Sequence, residues 1–201
     1  MSMITPLFTT LLQTLNYDPP KDLIDYIDQY YEQYKYRGLQ RSSRIGWQSK
    51  PHKIPQLQPV QQYLSDNVYT GELIHGNAWI NINSTGAYNV SHIHANCDFT
   101  CVYYLSDECS KLVLEHPHLY EQHNSVKAIT DTELKEKYNI KVNHQLSPKK
   151  GDLLMFPSYV PHRVETNTSN KVRISMSWGA MSANELQRCS WYTDMDDPRQ
   201  S

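Results

Sequence analysis

The segment from residue 77 to about residue 178 divides into short β-prone stretches separated by turn residues, and this pattern constrains the fold most strongly. The stretches are rich in β-branched and aromatic residues, and turns such as 84–86 (Ser-Thr-Gly) interrupt them. About eight short strands in succession can bury their apolar faces only by pairing into a barrel or sandwich. We therefore predict a mainly β fold, an antiparallel barrel or jelly roll, over residues 77–180.

Helices are expected before this barrel. Residues 18–20 (Asp-Pro-Pro) predict a helix start, because a carboxylate can cap the first turn and proline tolerates the first helical position. Apolar and aromatic residues then recur at helical spacing to about residue 35. A second short helix is predicted over residues 57–64, and the polar stretch 36–55 between the two is expected to be irregular.

The length of 201 residues suits one domain, 1–201, with its own core. Within it, we expect residues 1–70 to form a helical N-terminal support. Residues 117–147 are polar, with a short helix near 131–138, and are interpreted as a long insertion between strands. The tail after Ala183 is expected to be loosely held.

Composition excludes several classes. The mean hydropathy is −0.66, and no apolar run of about 18 residues exists, so we expect no membrane span. We see no signal peptide in residues 1–12. Basic and acidic residues number 19 and 21, without runs of like charge, which argues against a nucleic-acid partner. The four cysteines form no CxxC pair and are expected to be reduced thiols of a cytoplasmic protein: Cys97, Cys101, Cys109 and Cys189.

The strongest chemical signal is His92-Ile93-His94. Residues i and i+2 of a strand point to the same face, so two imidazoles would lie side by side as half of a metal site. Such a pair alone is more often two surface histidines. A second block, 151–157 (GDLLMFP), predicts a strand that leads to His162, which could supply a third nitrogen. Three ligands leave open positions on an octahedral metal, as oxygen chemistry requires.

Arg173 and Ser175 follow His162 at a distance that allows one strand, a turn and the start of another strand. They share a face by strand alternation. A guanidinium fork beside a hydroxyl is a suitable receptor for a buried carboxylate.

These residues together resemble the 2-oxoglutarate- and iron(II)-dependent oxygenases common in marine bacteria and their phages, and the resemblance spans nearly the whole chain. The matching residues, in order, are Pro6-Leu7-Phe8, Gly46-Trp47-Gln48-Ser49, Trp79-x-Asn81, Gly86, His92-x-His94, Cys101 to Leu105, Gly151 to Ser158, His162 and Arg173-x-Ser175.

The resemblance implies a double-stranded β-helix, that is, a cupin-like jelly roll. It also implies a dioxygenase that hydroxylates a small molecule or peptide side chain and releases succinate and CO2, in the host cytoplasm if the gene is phage-borne. The metal ligands would be His92 and His162, with His94 as the third. Arg173, assisted by Ser175, would bind the distal carboxylate of 2-oxoglutarate.

Further contacts to 2-oxoglutarate or substrate are expected from Asn89 and from one of two tyrosines, Tyr103 or Tyr104. Strand alternation prevents both tyrosines from facing inward, and Tyr103 is taken as the candidate. Most such enzymes carry a carboxylate where His94 stands. The site could therefore use three histidines, or Asp98 could replace His94 as a ligand. The substrate and the oligomeric state stay open.

Two alternatives fit the same fold. Gly86, His92, His94 and Asp98 also resemble the first motif of the cupins, which would give a metal enzyme that needs no 2-oxoglutarate. Arg173-x-Ser175 separates the two readings, because only a 2-oxoglutarate enzyme needs it. The third possibility is a non-catalytic β-barrel binding domain.

Overall fold

The computed structural model describes residues 9–107 and 110–183. Within these residues the chain forms eleven strands: β1 Gln13–Asn16, β2 Ser43–Arg44, β3 Trp47–Gln48, β4 Leu73–Asn83, β5 Tyr88–His92, β6 Phe99–Tyr104, β7 Leu112–Glu115, β8 Asn143–Leu146, β9 Asp152–Pro157, β10 His162–Val164 and β11 Arg173–Ser182. The α-helices are α1 Lys21–Tyr34, α2 Gln58–Asn67, α3 Leu119–Ala128 and α4 Thr132–Lys137, and a short 3-10 helix Pro55–Leu57 precedes α2.

The strands form two antiparallel sheets. The six-stranded sheet has the order β1-β9-β6-β11-β4-β3, and the five-stranded sheet has the order β2-β5-β10-β7-β8. From β4 onward the chain passes repeatedly from one sheet to the other. This is the double-stranded β-helix predicted from the sequence, and the prediction of fold class is confirmed.

Helices α1 and α2 belong to the same apolar core as one face of the six-stranded sheet. Leu23 of α1 and Leu64 of α2 are fully buried in a cluster that also contains Trp178 of β11. The predicted N-cap differs from the observed one: α1 begins at Lys21, Pro20 occupies the cap position, and no side chain caps the helix. Packing on the sheet therefore stabilises this helix more than its cap does.

The alternation of side chains along β11 separates the core from the functional face. Met176 and Trp178 join the helices in the outer cluster. Arg173, Ser175 and Ser177 point the other way, toward the space between the sheets, and all three are buried. The apolar part of that inner space is a second cluster: Val102, Tyr104, Leu112, Leu114, Leu154, Phe156, Val160 and Val164.

Four short strands were not expected. β1 lies in the N-terminal region that was expected to be a helical support, and it pairs with β9. β2 and β3 lie in the stretch predicted to be irregular, and each pairs with a distant strand. β8 occupies the end of the predicted insertion and pairs with β7. These strands have only two to four residues, which is too short for a periodic pattern to be visible in the sequence. They form because they hydrogen-bond to strands that are distant along the chain.

Among the described helices, none is long and apolar enough to cross a membrane. Cys97 and Cys101 are free thiols. Cys109, Cys189, the segment Pro6-Leu7-Phe8 and the tail after Ala183 lie outside the described residues.

Candidate active site

Three histidines meet between the two sheets. His162 of β10 pairs directly with His92 of β5, and their ring centroids are 4.3 Å apart. His94 follows β5, where its backbone N–H donates to the Ser158 carbonyl at 3.1 Å. Its ring centroid lies 5.0 Å from those of both other histidines. One nitrogen from each ring lies within 4.8 Å of the others, close enough for all three to share one metal ion.

Backbone carbonyls fix the tautomer of two of these rings. Nδ1 of His92 lies 2.8 Å from the Val90 carbonyl, and Nδ1 of His162 lies 3.0 Å from the Val160 carbonyl. A carbonyl can only accept, so each Nδ1 must donate its hydrogen. Each Nε2 then keeps a free lone pair, the arrangement found in most metal-binding histidines.

The surroundings keep the imidazoles neutral. Burial lowers the pKa of His94 to about 4, with a smaller contribution from the neighbouring His92. Burial, and then the proximity of His92, lowers the pKa of His162 to about 3. The pKa of His92 is also lowered, mainly by burial. Neutral imidazole is the form that binds a metal ion.

No carboxylate joins this cluster within residues 9–107 and 110–183. Asp98, the alternative ligand, uses its carboxylate elsewhere: Oδ2 accepts a hydrogen bond from the Ser182 backbone N–H at 2.9 Å. The geometry therefore brings together His92, His94 and His162, and leaves Asp98 outside the group.

Arg173 lies in the inner space with only 4% of its surface exposed. Its Nη1 donates to Ser175 Oγ at 3.0 Å, and its guanidinium carbon lies 5.0 Å from the Tyr104 ring centroid. In the described part of the chain, no carboxylate lies within ion-pair distance of it. The Arg173 Nε and the Tyr104 hydroxyl are buried without hydrogen-bond partners. A buried, unpaired cation is costly, so this position is suited to an anion.

Asn89 also faces the inner space, although it stands three residues before His92. An irregularity in the β5–β10 register lies between the pairs His92–His162 and Asn89–Val164. Such a bulge lets residues three apart share a face. The Asn89 carboxamide accepts from Asn83 Nδ2 at 3.1 Å and donates to Ser42 Oγ at 3.1 Å, so both of its polar groups already have partners in the protein.

Tyr103 does not face this space. It lies in the outer cluster with the helices, and its hydroxyl donates to the Tyr17 carbonyl at 2.9 Å. Tyr104, the next residue, faces inward and contacts Arg173. The tyrosine candidate is therefore corrected to Tyr104. Its pairing with Ser175 across β6 and β11 would have identified it, but that register cannot be read from the sequence alone.

Two aromatic residues beside the histidines were not expected to belong to the site. The Trp79 ring lies 5.3 Å from that of His94, and the Phe156 ring lies 5.0 Å from that of His162. From the sequence, Trp79 is expected to be a core residue and Phe156 an ordinary residue of its strand. Their side chains limit the space around the candidate metal position and keep it apolar.

A cavity of about 740 Å³ adjoins this region. The insertion and residues 9–12 line this open cavity, with Ile129, Tyr138 and Ile140 among its apolar residues. Phe156 lines it as well, so a single side chain contacts both the cavity and His162. The predicted insertion thus lies next to the candidate site.

Comparison with known proteins identifies the family. Residues 77–179, just over half of the chain, match the family model described as "Putative 2OG-Fe(II) oxygenase". No curated protein sequence matches the chain.

Solved structures agree in fold. A prolyl-4-hydroxylase of Pseudomonas putida is 15% identical, with a TM-score of 0.50 over 86% of this chain and 94% of that one. HygX of Streptomyces hygroscopicus, with nickel and 2-oxoglutarate bound, is 9% identical, with a TM-score of 0.57 over 87% and 84%. A Trichoplax adhaerens prolyl hydroxylase in complex with a hypoxia inducible factor peptide fragment is 11% identical, with a TM-score of 0.54 over 89% and 87%. Since the family model covers half of the chain and the fold agrees, this protein belongs to the 2-oxoglutarate- and iron(II)-dependent oxygenases, and its cofactors are iron(II) and 2-oxoglutarate.

Proposed function

We propose that this protein hydroxylates a small molecule or a peptide side chain with dioxygen as the oxidant: one oxygen atom enters the substrate hydroxyl and the other enters succinate, as 2-oxoglutarate is decarboxylated to succinate and CO2. The observation that carries the proposal is the buried Arg173 guanidinium, which has no acidic partner in the described residues and shares its interior with three clustered histidines.

The side chains present fit both cofactors. His92 and His162 each have a free Nε2, and imidazole nitrogen is a suitable donor for iron(II). The distal carboxylate of 2-oxoglutarate would complete the hydrogen bonds of the Arg173 Nε and the Tyr104 hydroxyl, both of which are orphaned. Ser175 already holds the guanidinium in place.

Each residue has a defined task in this proposal. When bound, iron(II) and 2-oxoglutarate supply the oxygen activation. Backbone carbonyls hold His92 and His162 in fixed orientations, and Arg173 orients the co-substrate. Phe156 and Trp79 exclude water from the histidine cluster, which protects a reactive centre from side reactions.

A cupin-type metal enzyme without 2-oxoglutarate is the weaker alternative. It would have no use for a buried arginine and serine pair at this position, and the family match favours the oxygenase. A non-catalytic binding domain would have no need of three histidines within bonding distance of one ion.

We also propose that residues 1–201 act as one catalytic domain in the cytoplasm, which is the host cytoplasm if the gene belongs to a phage. The free thiols of Cys97 and Cys101 suit a reducing compartment. Neither a membrane nor nucleic acid is proposed as a partner.

The test is an anaerobic titration of the iron(II)-loaded protein with 2-oxoglutarate, following the visible metal-to-ligand charge-transfer band, in wild type and in His94→Ala. We expect a band in wild type and its loss or marked weakening in the variant. The matched control is His116→Ala, since that histidine lies at the end of β7, outside the cluster. Iron binding without any band would favour the cupin alternative, and no iron binding would favour the binding domain.

A further inference from the structure

Four buried polar side chains form a row across the six-stranded sheet. The strand register places Gln48 of β3 opposite Asn81 of β4, Asn81 opposite Ser175 of β11, and Ser175 opposite Tyr104 of β6. Directly paired residues point to the same side of a sheet. All four therefore face the inner space, and we call them the polar row.

The polar row lies between the two parts of the candidate site. Along β4, Trp79 next to His94 comes two residues before Asn81, a step of about 7 Å. Two residues after Asn81 stands Asn83, which pairs with Arg173. A molecule that extends from Arg173 toward the histidines therefore crosses this row near Asn81.

Gln48 belongs to the part of the chain that precedes the family match, which begins at residue 77. Trp47, its neighbour in β3, packs into the outer cluster with the helices. By strand alternation Gln48 points inward, and only 5% of its surface is exposed. The N-terminal part of this chain therefore adds a carboxamide to the interior of the barrel.

The two carboxamide oxygens of the row lack hydrogen-bond partners. Gln48 Oε1 and Asn81 Oδ1 are buried and form no hydrogen bond. Asn81 Nδ2 donates to Ser177 Oγ at 3.3 Å. The oxygen and nitrogen of a carboxamide are interchangeable by rotation, so each side chain can turn an N–H group toward an anion while the Ser177 contact persists through its hydroxyl. Unsatisfied buried amides destabilise a fold, which indicates that a ligand completes them.

This inference rests on the proposed function: we propose that Gln48 and Asn81 hold the 2-oxo acid end of 2-oxoglutarate, at the opposite end from the carboxylate bound by Arg173. None of the three histidines carries a negative charge that would repel a carboxylate here. Two neutral carboxamides can hydrogen-bond the 1-carboxylate without competing with Arg173 for the distal one. Arg173 at one end and the two carboxamides at the other would together fix the orientation of 2-oxoglutarate in the site.

The experiment compares Gln48→Leu, Gln48→Glu and Arg173→Met with wild type in the anaerobic titration of the iron(II)-loaded protein. We expect Gln48→Leu to weaken 2-oxoglutarate binding about ten- to a hundredfold, the range for one hydrogen bond to a charged group. Gln48→Glu should weaken it further, because it places a negative charge beside a carboxylate. Gln40→Leu, at an exposed glutamine nearby, is the matched control and should bind as wild type does.

The position of the charge-transfer band distinguishes the two anchors. Loss of Gln48 alters the environment of the 2-oxo acid group, so the band maximum should move. Loss of Arg173 should weaken binding with the maximum unchanged. The melting temperature of the metal-free Gln48→Leu protein should not fall, because an unsatisfied amide is replaced by an apolar group of similar size.

The outcomes distinguish failure of this inference from failure of the proposed oxygenase function. If wild type gives the band and Gln48→Leu binds 2-oxoglutarate with wild-type affinity and an unmoved maximum, Gln48 does not touch the co-substrate and the inference is overturned. A lower melting temperature with unchanged affinity would overturn it too, since that result indicates a structural role. If wild type gives no band, the proposed function fails, and the inference fails with it.

Discussion

At the scale of single residues, the site depends on which way individual side chains point. The three histidines and the pair Arg173 and Ser175 were identifiable from the sequence, because spacing along a strand determines facing. The choice between Tyr103 and Tyr104 could not be made from the sequence. Strand alternation shows that the two side chains point to opposite faces of the sheet, but not which of them points inward. That choice is set by the register between β6 and β11.

Replacing Arg173 by Lys should weaken 2-oxoglutarate binding by about tenfold or more, because the planar fork that can grip both carboxylate oxygens is lost. The dissociation constant from the anaerobic titration measures this. Arg163→Lys serves as the control, since Arg163 pairs with Glu115 near the surface. Equal affinity in wild type and Arg173→Lys would remove Arg173 from the co-substrate site.

The two adjacent tyrosines should respond oppositely to loss of the hydroxyl. Tyr104→Phe should weaken 2-oxoglutarate binding with little effect on unfolding, because its hydroxyl neighbours the Arg173 guanidinium without forming a hydrogen bond of good geometry. Tyr103→Phe should lower the free energy of unfolding by about 0.5–1.5 kcal/mol, since it loses a hydrogen bond to Tyr17, and should leave binding unchanged. Denaturant unfolding and the titration, applied to both variants, provide the comparison. If instead Tyr103→Phe weakened binding and Tyr104→Phe lowered the stability, Tyr103 would be the residue that contacts 2-oxoglutarate.

At the scale of elements, most of the barrel and both N-terminal helices followed from periodicity, and most of the parts that did not were very short. The exception is helix α3, which was not predicted because it buries no residue and so has no apolar face to reveal it. β2 and β3 have two residues each, and their partners Asn89 and Ile82 lie far along the chain. The bulge in β5 was equally hidden, because it appears only when the strand is paired with β10. A strand of two residues forms only because a distant strand pairs with it, so the local sequence alone does not predict it.

Helix α2 should matter for stability and not for chemistry. Leu64 is fully buried in the outer cluster, on the far side of the sheet from Arg173. Leu64→Ala should reduce the free energy of unfolding by about 2–5 kcal/mol, through lost apolar contact and the cavity left behind. Denaturant unfolding measures the loss. A change in the 2-oxoglutarate dissociation constant of the folded variant would show that the two faces of the sheet are coupled.

At the scale of the whole molecule, folding and cofactor binding should be linked. Buried groups that lack partners, such as the Arg173 Nε, lower the stability of the cofactor-free protein, and a ligand that completes them binds only the folded state. The family and the fold could be anticipated from the sequence. The cavity beneath the insertion could not, since it depends on how residues 9–12 lie relative to α3 and the segment 138–142.

Adding a divalent metal and 2-oxoglutarate should therefore raise the melting temperature. At ligand concentrations about a hundred times the dissociation constant, the stabilisation is about 2.7 kcal/mol. Nickel(II) in place of iron(II) avoids turnover during a thermal scan, and a chelator should reverse the shift. A shift with metal alone and no further rise with 2-oxoglutarate would contradict the co-substrate assignment.

The short strands at the start of the chain have a consequence for the edges of both sheets. β1 and β3 form both edges of the six-stranded sheet, and β2 forms one edge of the other sheet. An uncovered edge strand has free backbone N–H and C=O groups that can pair with a strand of another molecule, which leads to aggregation. A fragment cut at residue 77, where the family match begins, would expose three such edges at once. The N-terminal strands thus cover sheet edges that such a fragment would leave open.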